Sequence, residues 1–235
     1  MVSPLIVALD VPTQSEAADL ARLLQPYVGG FKVGLELLMG EGPAAVSRVI
    51  EVGSPVFVDA KLHDIPNTVA RAARRLGEIG ARWVTVHASG GEEMVRVATE
   101  ALAESSEGRA GALAVTVLTS LDQNGLATTG VERILGDQVA AMAELGARAG
   151  AEGVVCAVTE APLVKGSGLD LTIVTPGIRP AGAESSDQRR VATPGAAIEA
   201  GADLLVVGRP ITAAPDPVAA AITIAGEIAS AISGA

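Results

Sequence analysis

The sequence predicts one (β/α)8 barrel spanning residues 1–235. Three observations lead there. Eight short apolar or β-branched runs recur along the chain, one per roughly 30 residues, and the total of 235 residues approaches the ~250 typical of such barrels. Ala-rich segments with helical periodicity separate most of the runs. Polar and charged residues gather at one end of the runs and turn residues at the other, the polarity expected of a barrel whose active site occupies one face.

The strands are expected at LIVALD (5–10), FKVGLEL (31–37), PVFVDAK (55–61), WVTVHA (83–88), ALAVTVL (112–118), GVVCAV (153–158), LTIVTPG (171–177) and DLLVVGR (203–209). The first helix opens with Thr13 and Glu16, three apart as in a capping box. TVARAARRLGEIG (68–80) and GDQVAAMAELGARAG (136–150) read as amphipathic helices. Gly80, Gly150 and Gly201 stand where helices should stop, because glycine enters the left-handed region cheaply. The segment SLDQNGLATTG (120–130) lengthens the fifth unit and reads as an extra loop. A doubly wound open sheet is the rival architecture, but LDVPTQSE after the first strand lacks the glycines of a dinucleotide fingerprint. No Pro/Ser-rich linker or shift in composition divides the chain.

Composition narrows the function classes. The formal net charge of −10 argues against a nucleic-acid partner, which needs a basic face. It leaves a small anionic ligand open, since a pocket's local field can oppose the overall charge. A single cysteine, Cys156, rules out an internal disulfide framework and suits a reducing compartment. No apolar stretch is read as reaching the ~18 residues of a membrane span. MVSPLIVALD lacks the basic start of a signal peptide. A cytoplasmic protein with no membrane partner is expected.

The strand ends carry the chemistry. In order they present Asp10, Lys32, Asp59 with Lys61, His87, Thr119, Cys156, Arg179 and Gly208-Arg209. The chain has 3 lysines against 14 arginines, so a lysine between two acids in VDAKLHDIPNT (58–68) draws notice. Asp59 and Lys61 are two apart, which on a regular strand puts both on one face with Cα atoms ~6.6 Å apart. Val56, Val58 and Ala60 then face the helices. Asp10 and Lys32, on neighbouring strands, extend the set to an alternating array of acids and ammonium groups. An ionised acid beside a bound anion raises that anion's energy, and an adjacent ammonium can hand a proton to a developing carbanion.

A second site is expected after the seventh and eighth strands, the usual phosphate position in this fold. Gly208 allows close backbone approach and Arg209 offers a bidentate fork. The segment RPAGAESSDQRR (179–190) reads as a mobile lid, with Arg179 and Gln188 placed to fold over a phosphate. His63 reads as a structural loop residue, Cys156 as small core and Trp83 as packing. His87 is open between a base and a packed role near the ligand. Arg74-Arg75 and Arg189-Arg190 read as solvated faces, the latter pair adjoining the lid.

In order, ALD (8–10), FKVG (31–34), DAKLHDIPNT (59–68), VHASGG (86–91), TVLTS (116–120), TPGIRP (175–180) with DQRR (187–190), and VGRP (207–210) resemble the orotidine 5′-phosphate decarboxylase family over the whole chain. DxKxxD followed by IPNT is the most specific of these motifs. The resemblance implies a homodimeric barrel that decarboxylates orotidine 5′-phosphate (OMP) to UMP in pyrimidine biosynthesis, with no metal and no organic cofactor. It implies Lys61 as proton donor to C6 of the pyrimidine and Asp59 against the substrate carboxylate. Asp64 and Thr68 are implied to reach into the partner subunit's site. Asp10 and Lys32 would contact the ribose, and Thr119 would lie near the pyrimidine and lid. Arg179, Gln188, Gly208 and Arg209 would bind the phosphate.

Three rivals are kept. One is a sister barrel enzyme with a DxK site that acts on sugar phosphates with Mg²⁺; Glu36 is its only candidate metal ligand at the end of the second strand. Another is an aldolase forming a Schiff base through Lys61. The third is a non-catalytic nucleotide sensor.

Overall fold

Each predicted run contains or overlaps a parallel strand: β1 (Leu5–Ala8), β2 (Gly30–Val33), β3 (Val56–Leu62), β4 (Trp83–His87), β5 (Gly111–Val115), β6 (Gly153–Val155), β7 (Thr172–Thr175) and β8 (Leu204–Val207). Strands pair in chain order and β8 returns to β1, closing the barrel. The structure, a computed structural model, describes residues 3–180 and 192–234.

Helices cover the outside. They are α1 (Gln14–Leu24), α2 (Leu35–Glu41), α3 (Pro43–Ile50), α4 (Pro66–Ile79), α5 (Glu92–Ser105), α6 (Gln123–Ala127), α7 (Leu135–Arg148), α8 (Ala161–Gly166), α9 (Pro194–Glu199), α10 (Arg209–Thr212) and α11 (Pro217–Gly234). Thr13 caps α1 by accepting the Glu16 N–H at 3.2 Å. The segment 120–130, expected as loop, contains the short helix α6, started by the Asp122 side chain accepting the Gly125 N–H at 2.8 Å.

Local chemistry explains α4. Val69, Ala73 and Leu76 recur at helical spacing and are buried, while Arg74 and Arg75 lie outside, paired with Glu104 and Glu78. Gly80 ends the helix at φ 101°, and the N–H groups of Gly80 and Ala81 return to the carbonyls of Gly77 and Leu76, a Schellman stop that satisfies two orphan carbonyls. A Cβ on Gly77 would collide with Ser105 Oγ of α5, so glycine sets how near these two helices approach.

Two cores result from strand alternation. Ile6, Ala8, Phe57, Leu113, Val174 and Val206 fill the barrel interior. Phe31, Val56, Val58, Val84, Ile173 and their neighbours pack outward against the helices. Cys156 is fully buried in that outer layer. With only 2 Phe, 1 Tyr and 1 Trp in the chain, aliphatic side chains carry most of the apolar burial, at roughly 25 cal/mol per Å².

One expectation is corrected. Helix α11 is 18 residues long with mean hydropathy 1.4, long and apolar enough by length and composition to cross a membrane. Its alanines and isoleucines, diluted by Glu227 and by Thr and Ser residues, read as a mixed sequence rather than an apolar run. In the fold it buries Ala221, Ile224 and Ile228, and the Gly195 N–H at the start of α9 donates to Glu227 at 3.2 Å.

Candidate active site

Asp59 and Lys61 lie where β3 ceases to run regularly. β3 pairs with β4 at Phe57–Trp83 and Val58–Val84, then slips before pairing again at Leu62–Val86. Lys61 takes φ 48°, a left-handed conformation that costs a non-glycine residue about 1–3 kcal/mol. The expectation of plain alternation is therefore corrected: the two side chains meet through a local irregularity of the strand. They meet nonetheless. Lys61 Nζ stands 2.8 Å from both Asp59 Oδ1 and Oδ2.

Lys32, on β2 and 9% exposed, continues the array. Its ammonium donates to Asp10 Oδ1 at 3.1 Å and lies 3.7 Å from Asp59 Oδ2. Charges thus alternate Asp10, Lys32, Asp59, Lys61 around the ends of three adjacent strands. Burial by itself pushes the Asp59 carboxyl up. The Lys32 and Lys61 ammonium groups, with hydrogen bonds from Lys61 and Thr85, outweigh burial and hold it below the usual carboxylate range.

Thr85 is the residue that sequence reasoning passed over. Its hydroxyl donates to Asp59 Oδ1 at 2.9 Å and accepts the Lys61 backbone N–H at 2.8 Å. The available signal was a polar residue two before His87 in an otherwise apolar strand, on the same side as Trp83, which packs on the inner core.

These groups line a cavity of about 500 Å³ at the C-terminal mouth of the barrel, within the ~300–1,000 Å³ usual for small-molecule sites. Ala8, Phe57, Val115, Val155 and Val206 supply apolar walls, and Asp10, Lys32, Glu36, Asp59 and Lys61 one polar side. Val117, Leu118, Thr119, Pro176, Gly177, Arg179, Gly208 and Arg209 complete the lining. Gly177 turns the chain at φ 81°, an arrangement that favours glycine. Arg179 is 8% exposed, and its guanidinium donates to the Ile178 carbonyl at 3.0 Å. A Cβ on Gly208 would meet Ala8 and Asp10 only at 3.6 Å, so protein packing alone does not demand glycine there. Eight of the predicted residues thus surround one space: Asp10, Lys32, Asp59, Lys61, Thr119, Arg179, Gly208 and Arg209.

Three others do not join them. Asp64 and Thr68 are exposed, on the loop after β3 and in the first turn of α4, beside Ile65, which is 67% exposed. The Asp64 carboxylate accepts the Ile65 N–H at 2.7 Å. Gln188, with most of the expected lid, lies outside the described residues. Neither His63 nor His87 lines the cavity. Their rings stack at 5.2 Å between centroids, tilted by 36°. Burial lowers the His87 pKa first, and the neighbouring His63 and Lys61 lower it further against the opposing pull of Asp59. Among the described residues, no group of three or more His, Cys, Asp or Glu side chains converges to hold a metal ion.

The far end of the barrel was expected to carry turn residues with little chemistry, and what the structure adds there is a structural ion pair. Arg82 forks onto Glu152 at 2.7 and 2.5 Å, and the Trp83 indole N–H donates to the same carboxylate at 2.9 Å. The Arg82 guanidinium lies 4.5 Å from the Trp83 ring centroid. Trp83 is therefore a packing residue with a polar tie, and it does not line the cavity.

Comparison with known proteins gives the family. Residues 3–224 match the family described as "Orotidine 5'-phosphate decarboxylase / HUMPS family". Orotidine 5′-phosphate decarboxylase of Moorella thermoacetica is 50% identical over 230 residues, covering 95% of this chain and 91% of that protein. The Thermobifida fusca protein of the same name is 49% identical over 230 residues, covering 97% of each. The crystal structure of orotidine 5′-phosphate decarboxylase from Lactobacillus acidophilus superimposes with a TM-score of 0.82 at 36% identity, over 96% of this chain and 99% of that one.

Proposed function

We propose, on the premise that the chain belongs to the orotidine 5′-phosphate decarboxylase / HUMPS family, that it is a carboxy-lyase converting OMP to UMP and CO2. One observation carries the reading. The Lys61 ammonium, 2.8 Å from both oxygens of Asp59, shares a cavity with Arg179, Gly208 and Arg209. A reaction that destabilises one anion and protonates another needs the first feature. A phosphorylated substrate needs the second.

The step is heterolysis of the bond between C6 and the carboxylate. CO2 departs, and the electron pair stays on C6 as an sp² carbanion poorly delocalised into the ring. Lys61 delivers a proton from Nζ to C6, giving UMP, and is reprotonated by solvent. Asp59, held ionised by its neighbours, faces the departing carboxylate and raises the energy of the bound substrate relative to the transition state, in which that charge is dispersing. Asp10 and Lys32 take the ribose hydroxyls, and Lys32 keeps Asp59 in place. Thr119 lies beside the pyrimidine. Arg179 and Arg209, with the Gly208 backbone and Gln188, take the phosphate.

Enzymes remove about 8–23 kcal/mol from reaction barriers. Four charged groups near C6 supply part of this. Binding energy from the distant phosphate, used to hold the array in place, supplies the rest. The assignment needs neither metal nor organic cofactor, because the proton and the electrostatic strain both come from side chains. The exposed strip of Asp64, Ile65 and Thr68 fits a homodimer in which Asp64 and Thr68 complete the partner's site. A cytoplasmic location fits an enzyme of nucleotide synthesis.

The test is ultraviolet-monitored conversion of OMP to UMP in metal-free buffer containing chelator. Sustained turnover is expected. Turnover lost to chelator and restored by Mg²⁺ would favour the sugar-phosphate rival, with Glu36 as ligand. Binding of OMP without CO2 release would favour a sensor.

A further inference from the structure

We infer that Thr85 is a positioning residue whose single hydroxyl fixes Asp59 and Lys61 relative to each other. The inference rests on the decarboxylase reading for its kinetic consequence, but the geometry stands apart from it. Thr85 is 1% exposed on β4. Across from it, β3 loses register between Val58 and Leu62, so the backbone of Lys61 has no regular ladder partner there. The Thr85 oxygen takes that place, accepting the Lys61 N–H at 2.8 Å. A hydroxyl has one proton to give, and Thr85 gives it to Asp59 Oδ1 at 2.9 Å.

One side chain therefore ties down both halves of the acid/ammonium pair, by different means. It supports the left-handed backbone of Lys61, φ 48°, which aims the ammonium. It also occupies one oxygen of Asp59, which limits rotation of the carboxylate. The hydroxyl touches neither Lys32 nor the phosphate end of the cavity, so its loss should disturb the reacting groups and leave substrate affinity largely alone.

Thr85→Val keeps the shape and removes both hydrogen bonds; Thr85→Ser keeps both bonds and removes a methyl. For T85V we expect kcat on OMP to fall on the order of 10²-fold, as a small misplacement of reacting groups does, with KM changing far less. The acid limb of its pH–rate profile should move to higher pH, because Asp59 loses a hydrogen bond that favours its ionised form. T85S should recover most of kcat and the wild-type limb. If T85V keeps wild-type kcat and an unmoved acid limb, or if T85S is as impaired as T85V, the inference is overturned. Should T85V fail to fold, Thr85→Cys takes its place with the same expectations, its sulfhydryl being a weak donor and acceptor. If the wild-type protein itself releases no CO2 from OMP, the decarboxylase reading has failed and not this one. A crystal structure of the valine or cysteine variant then decides: Lys61 still at positive φ and still paired with both Asp59 oxygens would overturn the positioning role.

Discussion

The Lys32 ammonium occupies the space that a side chain on Gly34 would need. A Cβ built on Gly34 falls 2.6 Å from Lys32 Nζ and 2.9 Å from Asp10 Oδ1. The Gly34 backbone, at φ −93°, is open to any residue, so FKVG ends in glycine for the sake of the charged array. The clash would be with the tip of a flexible lysine, which can swing aside without disturbing the fold. Gly34→Ala should therefore change the melting temperature little while lowering kcat/KM by about tenfold or more, since Lys32 would leave Asp10 and Asp59. Calorimetry beside steady-state kinetics checks it, and a variant with unaltered kinetics refutes the explanation.

Arg209 stands at the cavity rim, far along the chain from the Asp59–Lys61 pair. If phosphate binding energy holds the array in its reactive arrangement, Arg209→Ala should lower kcat as well as raise KM, each by about tenfold or more. A variant in which only KM rises would show that phosphate binding is uniform and contributes nothing at C6. Added phosphite with a truncated nucleoside substrate offers a second measurement, and rate activation by phosphite should weaken in the same variant.

The architecture was legible because barrel strands advertise themselves as short apolar runs and their polar residues gather at one end. All eight strands lie within or overlap the predicted runs, and Asp10, Lys32, Asp59 and Lys61 come together as the strand ends implied. Three features were hidden for physical reasons. Lys61 carries a left-handed φ usually signalled by Gly or Asn, and no residue type there announces it. Thr85 looks like an ordinary β-branched strand residue until the strand opposite slips. Arg82 and Glu152 are 70 positions apart, and only barrel closure across β4, β5 and β6 makes them neighbours. Glycine at 111 then acquires a reason, since a Cβ there would collide with the Glu152 carboxylate.

Asp64 and Thr68 are exposed and do not line their own chain's cavity, and the homodimer proposal assigns them to the partner's. Neither Lys61→Ala nor Asp64→Ala protein should turn over appreciably alone. Mixed and allowed to exchange subunits, equal amounts should yield heterodimers in half the population, each with one site intact. Activity should then approach about a quarter of wild type by the symmetry of the pairing. Absence of recovery, with exchange verified by mass, would count against a shared site.

Glu152 lets the far end of the barrel be tested separately from the chemistry. Burial pushes its carboxyl up, but the Arg82 fork and the Trp83 N–H more than reverse this and leave it below the usual glutamate range. A carboxyl depressed in the folded state stabilises the protein fully above its unfolded value of about 4.5, and that contribution is lost as pH falls through the folded value. Arg82 and Glu152 side chains are 36% and 34% exposed, so solvent screening reduces the pair well below a fully buried one. Glu152→Gln should cost about 1–2 kcal/mol at pH 7, roughly 2–8 °C in melting temperature for a chain of this size. The difference from wild type should shrink as pH is lowered below about 4, because the wild-type carboxyl then loses its charge as well. Fluorescence of Trp83, the one tryptophan, reports the unfolding directly. A gap between the two proteins that stays constant from pH 7 to pH 3 would show that the Arg82–Glu152 charge pair is not what stabilises this end.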